Sequence, residues 1–184
     1  MRAFVALEIS DPKVLESMVA FQRELSATGV YLKIVERENL HFTVKFLGEI
    51  TPDQAQTVDA RLKRLRLGRV DVEVRGVGAF PNISRPNVIW AGVPPEHEER
   101  VSPIAQGAIA ALEGIGERDE RPFTAHVTLA RVRFARRVNG LTSVLRSNID
   151  RSFGEVRLVE LKLKSSVLGP RGPTYTDIGV YPLV

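Results

Sequence analysis

Apolar positions along this chain follow two rhythms, every second residue and then every third or fourth, and the alternation between them is played twice. Arg2-Ala3-Phe4-Val5-Ala6-Leu7 opens as a short strand closed by the turn formers Ser10-Asp11-Pro12. Val14, Leu15, Met18, Phe21 and Leu25 then fall at helical spacing, with Asp11 placed as N-cap, Pro12 at the first position and Gly29 at the end. A strand around His41-Phe42-Thr43-Val44 follows. Thr51-Pro52-Asp53 opens a second helical run to Leu67, with Val58, Leu62 and Leu65 on one face, and Val70 to Val77 alternates as a strand.

The same order then returns. Asn87-Val88-Ile89-Trp90-Ala91-Gly92 matches the opening strand and is closed by Pro94-Pro95. Val101, Ile104, Ala105, Ala108 and Leu112 form the helical stripe that Gly114 ends; its start is open, because Ser102-Pro103 could itself be cap and first residue. The strand His126-Val127-Thr128-Leu129 comes next, then a short helix from Leu141 to Asn148 after Asn139-Gly140, and a strand from Phe153 to Leu163. After the loop Gly169-Pro170-Arg171-Gly172-Pro173, Thr174 to Tyr181 reads as an extra strand. Two β-α-β-α-β units, about 2–80 and 87–168, with a final strand at about 174–182, predict one bilobal α+β domain. Each lobe is expected to be an antiparallel sheet with helices on its outer face, and the cleft to lie between the lobes.

Chemistry enters with the histidines. There are three, and two stand in one frame 85 positions apart: His41-Phe42-Thr43-Val44 and His126-Val127-Thr128-Leu129. Successive side chains of a strand point to opposite faces, so each His shares a face with its Thr while the apolar pair goes to the core. If a two-fold relates the lobes, both frames meet in one cleft. A neutral imidazole can take a proton from water and a protonated one can deliver a proton to a leaving oxygen, while Thr hydroxyls donate to phosphoryl oxygens. Two such groups on opposite sides of a phosphorus suit in-line displacement. The rival is a metal site, but zinc asks for three or four ligands, and here Thr stands where a carboxylate is needed. His97, in the acidic helix start Pro94-Pro95-Glu96-His97-Glu98, has no partner frame and is expected on the solvated surface.

Composition narrows the setting. With no cysteine there is no disulfide, thiolate nucleophile or Cys-based zinc site. No apolar run reaches the roughly 20 residues of a membrane span, and the start is too short and too soon charged for a secretory signal, so a cytoplasmic location is the default and no membrane partner is expected. The net charge of +4 is modest but clustered: Arg61, Lys63, Arg64, Arg66 and Arg69 form one group, Arg131, Arg133, Arg136 and Arg137 another. Either group is a solvated basic face or a partner for phosphate, and the second, close behind His126, has the stronger case.

These residues resemble the two-histidine phosphoesterases, most closely the archaeal and bacterial RNA 2′,3′-cyclic phosphodiesterases also called 2′-5′ RNA ligases. The resemblance spans nearly the whole chain: Arg2-Ala3-Phe4, Glu38 to Gly48 around the first frame, the turn Gly78-Ala79-Phe80-Pro81, Val88-Ile89-Trp90, His126 to Arg131, and Gly172-Pro173-Thr174-Tyr175. It implies opening of a 2′,3′-cyclic phosphate at an RNA end to a 2′-phosphomonoester. His41 is then the proton donor and His126 the proton acceptor, an order the near-symmetric frames do not assign by themselves. Thr43 and Thr128 hold the phosphate, and neither metal nor other cofactor is implied. RNA ends, tRNA fragments or nucleotides are the implied partners of a monomer. The residues five past each His are Phe46, implied to meet the base or ribose, and Arg131, implied to bind phosphate. Strict alternation puts both on the wrong face, so either the strands end or bulge there or the two lie outside the site. Lys45 has the correct parity, and Tyr175 either reaches the cleft rim or is a strand aromatic. Ligation to a 5′-hydroxyl through a 2′-5′ bond shares the transition state. A binding module with relic histidines is a competing reading, and so is an esterase for small cyclic phosphates such as a cyclic nucleotide.

Overall fold

The computed structural model describes residues 1–134 and 137–184, so Arg136 of the second basic cluster lies outside the described residues. Among the described residues ten strands and four α-helices follow in the order β1 (Arg2–Glu8), α1 (Pro12–Ser26), β2 (Leu32–Ile34), β3 (His41–Glu49), α2 (Pro52–Lys63), β4 (Val70–Arg75), β5 (Val77–Asn82), β6 (Arg85–Ala91), α3 (Pro95–Ala111), β7 (Val127–Val132), α4 (Asn139–Ser147), β8 (Ser152–Leu158), β9 (Glu160–Gly169) and β10 (Gly172–Pro182). Asp11 caps α1 by accepting from the Lys13 and Val14 amides, and Thr51 with Gln54 closes a capping box on α2.

The main sheet runs β10-β9-β1-β3-β7-β6-β5, with β2 added to β7, while β4 and β8 pair separately. β3 and β7, the two histidine strands, lie side by side at its centre and are joined at one pair, Phe42 with Val127. This seam divides two lobes, and the halves of the sequence are exchanged across it. α1 packs on β7 and β8, whereas α3 packs on β3 and β4. β2 adds to β7, with Leu32 opposite Val132, and 85 residues later the Glu117 amide donates to the Leu47 carbonyl of β3. One core therefore serves both halves, with Leu7, Met18, Phe21, Phe42, Ile104 and Leu129 almost wholly buried.

Several sequence expectations change. Ser102-Pro103 lies inside α3, whose apolar stripe Val101, Ile104, Ala105 and Ala108 stays buried across it while Pro103 faces solvent; packing outweighs one lost backbone hydrogen bond. α2 stops at Lys63 rather than Leu67, because Leu65 and Leu67 turn back onto the core from an irregular segment. The run Phe153 to Leu163 breaks at Val159 into β8 and β9, which belong to different sheets. Gly78-Ala79-Phe80-Pro81 is not a turn but the body of β5, with a cis Phe80–Pro81 bond. β2 is too short to leave a periodicity. His97 is half-buried and its Nδ1 accepts the Glu73 amide at 2.8 Å, tying α3 to β4. Arg61, on α2, donates to the carbonyls of Ala111 and Glu113 at the end of α3, so part of the first basic cluster caps a helix. Among the described residues no helix is long and apolar enough to cross a membrane.

Candidate active site

The two histidines are held by one device used twice. His41 begins β3 and its Nδ1–H donates to the Asn39 carbonyl at 2.6 Å; His126 stands just before β7 and its Nδ1–H donates to the Thr124 carbonyl at 2.8 Å. Asn39 and Thr124 are themselves 85 positions apart. A carbonyl on Nδ1 leaves Nε2 as the lone-pair nitrogen of the neutral ring. The two sites then differ. His41 Nε2 lies 2.8 Å from Thr43 Oγ1, whose hydroxyl donates to the neutral ring.

Rings brace each histidine. Phe4 stacks on His41 at 5.1 Å and Tyr175 meets it edge-on at 5.7 Å. His126 meets Phe80 edge-on at 5.0 Å and Trp90 at 6.4 Å. Burial among these rings disfavours the charged imidazole. It pulls His41 down to about 4 from the ordinary 6.5, against the opposing pull of its Asn39 carbonyl, with the Lys164 ammonium adding to the depression. His126 is lowered too, mainly by burial, while the Thr124 carbonyl and the Glu98 carboxylate favour its charged form. Glu98 also accepts the Ala125 amide, fixing the backbone beside His126. Both rings are therefore neutral at pH 7 when the cleft is empty. The sign for folding follows: the stability His41 contributes by staying neutral is complete above pH 6.5 and is lost as pH falls toward about 4.

A cavity of about 1060 Å³ runs across the seam. Of the residues singled out in the sequence, His41, Thr43, Phe46, Thr128, Arg131 and Tyr175 line it. His126 does not; it is packed against Phe80 and Trp90, still within electrostatic range of His41 and Arg131. Arg2, Lys33, Arg118, Arg121, Arg133 and Arg171 join Arg131 in the lining against only Glu36, Glu117 and Asp119, so the cavity favours an anion. Among the described residues no three His, Asp or Glu side chains converge as a metal-ligand group.

The parity problem at positions five past each His is resolved by β-bulges. In β3, Thr43 pairs with Ala6 and Lys45 with Val5, leaving Val44 as an extra residue. In β7, Thr128 pairs with Trp90 and Ala130 with Ile89, leaving Leu129 extra, again at the 85-residue offset. Each bulge reverses the alternation beyond it. Phe46 and Arg131 are thereby turned to the cleft side, where Phe46 is 50% exposed and 6.3 Å from Phe4. The same shift overturns the expectation for Lys45, which leaves the histidine face and donates to the Glu117 carbonyl at 3.1 Å, outside the cavity lining.

Sequence reasoning missed Phe4, Phe80 and Trp90 as partners of the histidines. For Phe4 a signal existed: Ala3, Val5 and Leu7 take the core face of β1, which leaves Phe4 to the cleft face, 3% exposed yet beside the site. A group of charges on the same face of the sheet was also missed. Lys162 pairs with Glu8 at 2.7 Å and Asp177 at 2.8 Å, while buried Lys164 contacts Glu8 and, at 2.9 Å, Asp177. Glu8 is the cross-strand neighbour of His41. Only pairing across β1, β9 and β10 assembles these four residues, and no local spacing reveals it.

Known proteins supply the rest. A family model described as LigT like Phosphoesterase matches residues 9–90 and 92–175. The RNA 2′,3′-cyclic phosphodiesterase of Archaeoglobus fulgidus is 36% identical over 98% of this chain and 99% of its own, and that of Aeropyrum pernix 37% identical over 84% and 88%. Among solved structures, a Thermus thermophilus protein superposes with a TM-score of 0.80 and 31% identity over 100% of this chain and 98% of its own. Escherichia coli LigT, crystallised with 3′-AMP, shares the fold at TM-score 0.77 and 20% identity over 99% and 97% of the two chains.

Proposed function

Because the chain belongs to the LigT-like phosphoesterases, we propose that it is an RNA 2′,3′-cyclic 3′-phosphodiesterase in which two histidines do the proton work without a metal. One observation carries the reading: two imidazoles, each held through Nδ1 by a backbone carbonyl so that Nε2 is the proton-exchanging nitrogen, stand at an anion-favouring cleft that His41 lines and His126 adjoins. Neutral His126 takes a proton from water as the water oxygen attacks phosphorus. The P–O3′ bond breaks in line, and O3′ takes the proton from Nε2 of His41. A 2′-phosphomonoester and a 3′-hydroxyl remain, with the proton now on His126, and exchange through solvent resets the pair.

His41 must be charged for this step, and a bound phosphate anion restores what burial removes. The Thr43 hydroxyl then loses its acceptor, since a protonated Nε2 can only donate, and turns to a non-bridging oxygen. One proton thus arms the acid and frees a phosphate ligand together. Thr128 and Arg131 hold the remaining oxygens, the Arg through its planar fork. Phe46 and Tyr175 flank the nucleoside. The other cations of the cleft suit an RNA strand continuing away from its terminal phosphate.

The test is an oligonucleotide ending in 2′,3′-cyclic phosphate, incubated with the protein in EDTA, with the product phosphate located by ³¹P NMR. A 2′-phosphomonoester is expected. A 3′-phosphomonoester, or turnover abolished by the chelator, would overturn the proposal. The pH profile gives a second check. Since kcat/KM reports the free enzyme and one proton must be shared by two depressed histidines, its maximum is expected below pH 6.5, with a decline approaching tenfold per unit on the alkaline side. A plateau extending through about pH 8 contradicts the assignment.

A further inference from the structure

Gln22 lies on α1, outside the cleft, yet it is 4% exposed, and buried polar side chains are held only where they find partners. Its Nε2 donates to two main-chain carbonyls, Val35 at 2.8 Å and Leu129 at 2.9 Å. Leu129 is the extra residue of the β7 bulge, and its carbonyl also accepts the Val35 amide at 3.0 Å. One amide therefore ties a helix, the residue following β2 and the bulge together, at the step where the β7 alternation reverses and Arg131 is turned to the cleft.

The repeat provides an internal control. The matching bulge residue in β3 is Val44, and the position matching Gln22 on the helix packed there is Gly107. No side chain reaches out from it, and Leu67 fills the space a Cβ would need, 2.8 Å away. The residue delivered by that bulge is Phe46, an aromatic whose stacking tolerates a loosely aimed ring. A guanidinium that must meet phosphate oxygens does not tolerate the same looseness. The amide occurs beside the bulge that aims an arginine and is absent beside the bulge that aims a phenylalanine.

We propose that Gln22 is a positioning residue, whose side-chain amide locks the Leu129 bulge and so aims Arg131 at the substrate phosphate. It rests on the cyclic-phosphate reading of the cleft, but it can be tested apart from it with inorganic phosphate as the probe. Gln22→Met keeps the length and removes the donor. It is expected to weaken phosphate binding and raise KM by about tenfold, with kcat changed much less. In an Arg131→Ala background the same substitution should change neither quantity further. Gln22→Asn, too short to bridge both carbonyls, serves if the methionine variant does not fold and should give the same pattern. Wild-type phosphate affinity in the folded variant overturns the inference, and so does an effect that persists without Arg131. If the wild-type protein binds phosphate through Arg131 and Gln22 but fails to open cyclic phosphate ends, the positioning role stands and the substrate reading falls.

Discussion

Replacing His126 with alanine is expected to lower kcat on a cyclic-phosphate oligonucleotide by about 10²- to 10⁴-fold, and replacing His41 by a similar factor. The two losses should not multiply. Attack by water and departure of O3′ belong to one displacement, so a double variant falls little below the worse single one, as for residues that act as a unit. The limbs of the pH profile separate the roles. Loss of the acceptor should remove the acidic limb, because no group then needs to be deprotonated, and loss of the donor should remove the alkaline limb. Burial lowers both rings, His41 to about 4, so each limb lies in an accessible range. Full activity in either single variant, or an acidic limb that survives in His126→Ala, would reject the assignment. The order of donor and acceptor is the part most exposed to this test, since the two rings are anchored in the same way.

Phe42→Ala should produce the largest loss of stability from one substitution near the site. Phe42 is fully buried, faces Leu7 on β1, and makes with Val127 the pair that joins β3 to β7. Truncating such a ring removes its transfer energy and leaves a cavity, about 3–5 kcal/mol together. For a domain of this size that corresponds to a fall in Tm of roughly 10 °C. Thermal unfolding followed by circular dichroism measures it, and a shift under about 3 °C would mean that the seam is held by other contacts. His41 and Thr43 flank Phe42, so the folded fraction should also turn over more slowly. Val127→Ala, which removes less volume, is expected to cost less.

The fold was legible where local chemistry and tertiary packing agree. Asp11, Pro12 and Gly29 bracket α1 because caps act within a few residues, and the His-x-Thr frames stood out because the duplication preserved their spacing. Legibility failed where partners are far apart in the chain. Ser102-Pro103 imitates a helix start, and only the stripe buried against β3 and β4 shows that α3 continues through it. Phe46, Arg131 and Lys45 could not be sorted from the sequence because a bulge is a property of two paired strands, and periodicity registers one strand at a time. His97 looked solvated for the same reason: its partner, the Glu73 amide, lies on another element.

The exchange of elements across the seam has a consequence for how the molecule holds together. α1 covers strands contributed by the second half, and α3 covers strands contributed by the first. This is the contact pattern of a swapped two-fold dimer whose subunits have been written into one polypeptide. Neither half could close its own core if cut from the other, because the helix that seals each set of strands would leave with the opposite fragment. The link between β5 and β6 supplies the second unit at fixed stoichiometry, and mutations can then act on one copy alone. A symmetric dimer would be obliged to carry the same residue at both copies of a position, whereas this chain places Phe46 at one and Arg131 at the other. Joining the two units in one chain is what permits the matching positions to differ, an aromatic ring at one and a guanidinium at the other.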